Sequence, residues 1–252
     1  MNNQDLKKKY DEIFKGGANT FFTSDGFEEA LKIAASCNWE DKKVLDLGCG
    51  EGRLISMIAG AGASEAIGVD YSEEAINKAV TAFELPNLDF IADDYKNVEN
   101  KFDVVVMQGV MEHFDKPWDE LQYIIDNLLY ENGSVITSSP SFLNPRGYVW
   151  MTLAKLFDVP MSLTDLHFIC PFDMINFCNK YNYHLEYQSI YQDWGCGNGM
   201  LKDLKKRLHN ALQDAKMDNS KVNDLLEWLS QASRLFKQDN DSGAIVIYSI
   251  KK

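Results

Sequence analysis

The segment Asp46-Leu47-Gly48-Cys49-Gly50-Glu51-Gly52 sets three glycines at alternate positions, directly after an apolar run and directly before a stretch of helical period. Glycines in a strand-to-helix turn allow a tight bend and let a ligand approach the main chain. Taken alone, such a loop is as consistent with simple packing as with binding. Its acids narrow the chemistry. Where a dinucleotide fold rests a pyrophosphate on backbone N–H groups and a helix dipole, this loop offers Asp46 just before the turn and Glu51 inside it. Two carboxylates repel a diphosphate, and the GxGxG spacing differs from the dinucleotide GxGxxG. S-adenosylmethionine carries no phosphate, only a sulfonium and an amino-acid end with an ammonium, so the same charges favour it. Glu51 is equally read as a solvated acid in the first helical turn.

Further acids follow at intervals that suit a nucleoside. Asp70 ends the next apolar run about twenty residues on, where a carboxylate accepts from both ribose hydroxyls. Tyr71 either lies against an adenine face or packs on the sheet edge. Asp93, Asp94 and Tyr95 follow a third run; Asp94 either accepts from the adenine amino group or caps a helix. Beyond a fourth run, Glu112 and His113 stand on the crevice side. A histidine there suits general-base work at neutral pH, with His167 or Glu112 assisting or holding the acceptor, or else it orders its loop by hydrogen bonding. His184 and His209 fall in a strand and on a helix, where satisfied or solvated histidines are the default.

These residues need a sheet to gather them. Short apolar runs at Lys43 to Leu47, Ala66 to Asp70, Leu88 to Ala92, Phe102 to Met107 and Gly133 to Ser138 alternate with helical stretches at Arg53 to Ala59, Glu73 to Phe83 and Trp118 to Leu129. Ser72 is placed to cap the second helix. The alternation predicts an α/β fold with right-handed crossovers. A helix at Phe172 to Lys180, a sixth strand near His184 to Ile190 and a last strand at Ala244 to Ile250 complete one domain over residues 1–252. Residues 1–40 read as an N-terminal helical cover, with Tyr10, Phe14, Phe21 and Phe22 as candidates to fold over a cofactor. Two segments are extra to a minimal sheet. The stretch 139–168, irregular through Pro140, Pro145 and Pro160, is suited to acceptor recognition, with Asn144, Arg146, Tyr148 and Trp150 as lining candidates beside Trp194. The helical insertion 197–237 reads as a lid, a subunit contact or a packing embellishment.

Bulk properties limit the partners. With 252 residues and 45% hydrophobic content the chain buries a substantial core, and its formal charge of -13 opposes a grip on nucleic-acid phosphate. The five cysteines, without CxxC spacing, are expected to be reduced thiols in a cytoplasmic protein. No signal peptide or membrane span is read, and the acceptor class expected is a small polar molecule such as a sugar or nucleotide-sugar.

Taken in order, Val44-Leu-Asp-Leu-Gly-Cys-Gly-Glu-Gly52, Gly68-Val-Asp-Tyr-Ser72, Asp93-Asp94, Phe102-Asp-Val-Val-Val106 and Leu129-Tyr-Glu-Asn-Gly-Ser-Val-Ile136 resemble the motifs of class I S-adenosylmethionine-dependent methyltransferases. The resemblance implies a three-layer Rossmann-like fold with a seven-stranded methyltransferase sheet and a helical insertion before the last strand. It implies S-adenosylmethionine as cofactor and S-adenosylhomocysteine as product. By that likeness the loop of Asp46, Gly48, Cys49, Gly50 and Gly52 passes the methionine portion, Asp70 holds the ribose and Asp94 meets adenine, with Tyr71, Asp93 and Tyr95 as further candidates for cofactor binding. Gln108 runs along the methionine end. Gly109-Val-Met-Glu-His-Phe114 and Thr164-Asp-Leu-His-Phe168 are similar to the branch with ubiquinone-biosynthesis O-methyltransferases and bacterial surface-sugar methyltransferases. Some members with an E-x-x-E-H pattern bind a divalent metal; here Glu112, His113 and His167 are kept, and Gly109 stands in place of the first Glu. O-methylation is the expected reaction. The alternatives are an NAD-dependent oxidoreductase and a nucleoside-binding module without catalysis.

Overall fold

The computed structural model describes residues 27–159 and 165–252. Tyr10, Phe14, Phe21 and Phe22 lie outside the described residues. A seven-stranded sheet has the order β3-β2-β1-β4-β5-β7-β6. Its strands are β1 (Lys43–Leu47), β2 (Glu65–Asp70), β3 (Leu88–Ala92), β4 (Phe102–Gln108), β5 (Leu129–Pro140), β6 (His184–Ile190) and β7 (Ile245–Lys251). The first five pair in parallel, as β1 with β2 and β4, β2 with β3, and β4 with β5. β7 is antiparallel. This is the methyltransferase sheet expected from the sequence.

Parallel strands covered on both faces read as continuous apolar runs, and the run Val104, Val105, Val106, Met107 is at most 1% exposed throughout. Around these strands stand α1 (Phe27–Ala34), α2 (Arg53–Gly60), α3 (Glu73–Ala82) and α4 (Pro117–Asn127). The Ser72 hydroxyl accepts from the Ala75 N–H as the cap of α3, as its position implied. Two boundaries differ from expectation. The helix before β5 stops at Asn127, since Leu129 is already paired with Phe102; the register then shifts before Val104 meets Ser134, with Asn132 at φ 66°.

The described chain forms two compact units. Among the described residues, the first comprises 27–138, 178–186 and 248–252; the second comprises 139–159, 165–177 and 187–247. In the second unit the proline-marked stretch, expected to be irregular, contains α5 (Pro145–Phe157). Pro145 at the first helical position and the Asn144 side chain accepting from Gly147 N–H start it. The fixed φ of proline, a breaker inside a helix, is suited to its first turn. The chain continues through α6 (Pro171–Tyr181), α7 (Gln192–Cys196), α8 (Asn198–Asp214) and α9 (Val222–Ala232). The second unit's core joins Trp150 of α5 to Met200, Leu204, Leu208 and Leu212 of α8 and Leu229 of α9.

Candidate functional site

The glycine loop links β1 to α2, and Gly48, Gly50 and Gly52 have φ of 73°, 53° and 79°. Such left-handed backbone is costly for residues with a Cβ. Space adds a second constraint at Gly52, where a Cβ would stand 2.5 Å from the Phe90 ring. The loop is tied to the end of β2. Gly48 and Cys49 N–H groups donate to the Val69 carbonyl at 2.8 and 3.1 Å, and Gly50 N–H donates to Asp70 Oδ2 at 2.9 Å. Asp70 Oδ1 accepts from Ser72 N–H at 2.8 Å. Each Asp70 oxygen thus accepts from a backbone N–H at the end of β2, which fixes the carboxylate's orientation. Tyr71 follows at the same strand end.

Asp46 is 1% exposed, and neither carboxyl oxygen meets a hydrogen-bond partner of good geometry among the described residues. Burial first, then the neighbouring Asp70, raises its pKa to about 8, with the Ile55 N–H partly opposing the shift. Burial also lifts the Cys49 thiol well above its usual range, with Asp46 and Asp70 adding to the effect, so Cys49 stays protonated. An orphaned buried carboxyl beside a second one is a place for a cation. The residues fit S-adenosylmethionine, which brings positive charge without phosphate. A nicotinamide dinucleotide would add a diphosphate to two acids. Glu51 precedes α2 rather than standing in its first turn, and it forms an ion pair with Lys78 of α3 at 3.2 Å.

The acids after β3 are turned to local bonding. Asp94 Oδ1 accepts from Lys96 N–H at 3.0 Å and caps the short 3-10 turn Tyr95–Asn97, the alternative role weighed for it. Asp93 Oδ1 accepts from the Asp94 N–H and from Asn97 Nδ2. The Tyr95 hydroxyl donates to Glu120 of α4, and its ring packs on Phe114. Both aspartates remain exposed, so they retain acceptor capacity at the strand end.

Glu112 and His113 lie on the 3-10 turn Met111–His113 that follows β4, Glu112 being 3% exposed. The φ of Gly109 is 65°, and a Cβ there would meet Glu112 Oε1 at 3.7 Å. Conformation rather than crowding thus favours glycine where relatives with E-x-x-E-H have an acid. His167 belongs to the second unit and is part-buried. Of the metal-ligand set suggested by resemblance, Glu112 and His113 belong to the first unit.

One buried acid escaped the sequence reading. Glu29 of α1 is 8% exposed, with Ser138 of β5 and Gln108 of β4 as polar neighbours. The signal was present: Glu29 occupies the inward face of an amphipathic helix together with Ala30 and Ile33. Its polarity made it look like solvent-facing surface.

In the second unit, Asn144 Nδ2 donates to the carbonyls of Ser141 and Gly243, and Trp150 Nε1 donates to buried Asp203. Asn144 and Trp150 are thereby engaged in holding their own loop and helix. Tyr148 is 57% exposed. A cleft of about 430 Å³ opens at the amino ends of β1 and β4, lined by Lys42, Asp103, His184 and Lys251 among others. It lies at the strand ends opposite the glycine loop, where open parallel sheets do not bind their ligands.

A mixed seven-stranded sheet of this order, with a left-handed glycine loop and acids at the carboxyl ends of β1 and β2, defines the S-adenosylmethionine-dependent methyltransferase class of α/β proteins. The chain belongs to the methyltransferase-domain family, whose profile matches residues 39–167. It is 31% identical over 150 residues to a ubiquinone biosynthesis O-methyltransferase of Neisseria meningitidis, spanning 55% of this chain and 62% of that protein. It is 32% identical over 154 residues to protein arginine N-methyltransferase 1 of Schizosaccharomyces pombe, spanning 58% of this chain and 40% of that one. The match spans less than two thirds of either relative's length. The fold is similar to that of an S-adenosylmethionine-dependent methyltransferase from Mesorhizobium loti, with TM-score 0.55, 13% identity, and 91% and 99% of the two chains covered.

Proposed function

We propose that this protein transfers the methyl group of S-adenosylmethionine to a hydroxyl of a small polar acceptor, a sugar or nucleotide-sugar being the favoured class. The observation that carries the cofactor reading is the pair Asp46 and Asp70, Asp46 being buried with no well-aligned hydrogen-bond partner among the described residues and both standing at the carboxyl ends of adjacent strands. Asp70 holds the ribose. The glycine loop gives backbone access, and Asp46, once ionised, supplies negative potential beneath the donor's cationic portion. When bound, S-adenosylmethionine supplies an electrophilic methyl, whose C–S electron pair leaves with sulfur as the acceptor oxygen forms the new C–O bond. His113 takes the hydroxyl proton on an imidazole nitrogen, and Glu112 orients it or the acceptor. The charge of -13 supports a small acceptor over a nucleic acid.

Calorimetric titration tests the cofactor: S-adenosylhomocysteine should bind and NAD should not, and the reverse order would overturn the reading. A His113→Ala protein should bind S-adenosylhomocysteine like the wild type while losing roughly a hundredfold or more in turnover. Full turnover in that variant would remove His113 as the base.

A further inference from the structure

The helix α1 presents Ala30 and Ile33 inward, and at a third inward position, Glu29, stands an acid. Breaking an apolar face with a carboxyl costs stability unless a polar or charged group meets it, which makes such a position a candidate for function. Helix α1 packs against α2, and the Arg53 guanidinium lies over the Phe27 ring at 5.8 Å. Glu29 therefore stands on a docked helix.

The strand register locates the group that Glu29 approaches. Gln108 ends β4 directly opposite Ser138 of β5, and two residues earlier Val106 pairs with Asp46 of β1. Among the described residues Ser138 Oγ makes no bond of full hydrogen-bond geometry, yet it and Gln108 are the polar neighbours that favour the charged form of Glu29 against the larger effect of burial, which raises its pKa. Glu29 and Asp46 thus belong to one stretch of the carboxyl edge, at β1, β4 and β5. Asp70, the ribose acid, lies on β2. From β2 to β4 is two strand spacings, about 10 Å. That span is comparable with the reach of an adenosyl donor from its ribose, across the sulfonium, to its amino-acid end.

We propose that Glu29 binds the α-ammonium of the amino-acid end of S-adenosylmethionine and of S-adenosylhomocysteine, so that α1 forms a wall of the cofactor site. This deepens the cofactor reading above and rests on it. Gln108 and Ser138 position the carboxylate. Asp46 contributes field from beneath the loop, and Glu29 makes the direct charge-assisted hydrogen bond.

The test compares two ligands on wild type and Glu29→Gln by calorimetry. S-adenosylhomocysteine has the amino-acid end; 5′-methylthioadenosine shares the adenosyl thioether but lacks ammonium and carboxylate. In Glu29→Gln the affinity for S-adenosylhomocysteine should fall about tenfold or more, with 5′-methylthioadenosine unchanged. Unchanged affinity for both, or an equal loss for both, would overturn the proposal. Should Glu29→Gln fail to fold, Glu29→Asp, which keeps the charge but draws it back by one methylene, should show the same selective loss; equal losses there overturn it too. Wild-type protein that binds neither ligand defeats the cofactor reading itself, a result separate from any effect of the substitution.

Discussion

Asp46 gives up water on both carboxyl oxygens without gaining a well-aligned hydrogen bond from the described protein. Burial first, and then Asp70, raises its pKa to about 8. In an unfolded chain an aspartate titrates near 4. Between these values the folded protein binds the extra proton, so the stability associated with Asp46 is complete below about pH 4 and is lost as the pH rises through about 8. Cation binding has the opposite dependence. Affinity for S-adenosylhomocysteine should rise from about pH 6 to about pH 8 as Asp46 ionises, and an Asp46→Asn protein should bind more weakly with a flatter profile. Calorimetry across that range checks it; identical profiles in the two proteins would detach Asp46 from the cofactor. Sequence showed the acid and its place after β1. It did not show that its oxygens are orphaned, because that depends on what α2 and β2 bring around them.

At the scale of elements, the loop and the caps hold the site in shape. Gly52→Ala would place a methyl 2.5 Å from the Phe90 ring at a φ of 79°. It should destabilise the fold by about 2 kcal/mol or more, visible as a lower melting temperature, and stabilisation by S-adenosylhomocysteine should weaken with it. In the second unit Asn144 caps α5 and also bonds two carbonyls. Asn144→Ala should cost about 2 kcal/mol by denaturant unfolding, whereas a change at exposed Tyr148 should cost little. The glycine loop was readable from sequence because its left-handed turns demand glycine in a fixed spacing. The helix α5 was not, since Pro145 marks a break in any window that includes it and becomes a start signal only once Asn144 is known to be its cap. Glu29 shows the same limit: a short helix of mixed polarity does not reveal which acid faces inward until α2 supplies the surface against which it packs.

Across the whole chain, charge sets a condition on partners. At -13 the protein should not retard DNA or RNA in an electrophoretic assay at about 50 mM salt, and tight binding there would reopen the acceptor class. Five cysteines are free thiols, and among the described residues no helix is long and apolar enough to cross a membrane. The amino-acid sequence alone determined the sheet, its order of motifs and the glycine turn, because strand periodicity and left-handed glycines are local properties with strong steric signals. Tertiary structure decided which acids are available for a ligand: Glu51 pairs with Lys78, Asp94 caps a turn, and Tyr95 bonds Glu120, while Asp46 and Glu29 are buried at the carboxyl edge. A carboxyl's role depends on the dielectric and the donors around it, and those come from residues far away in the chain.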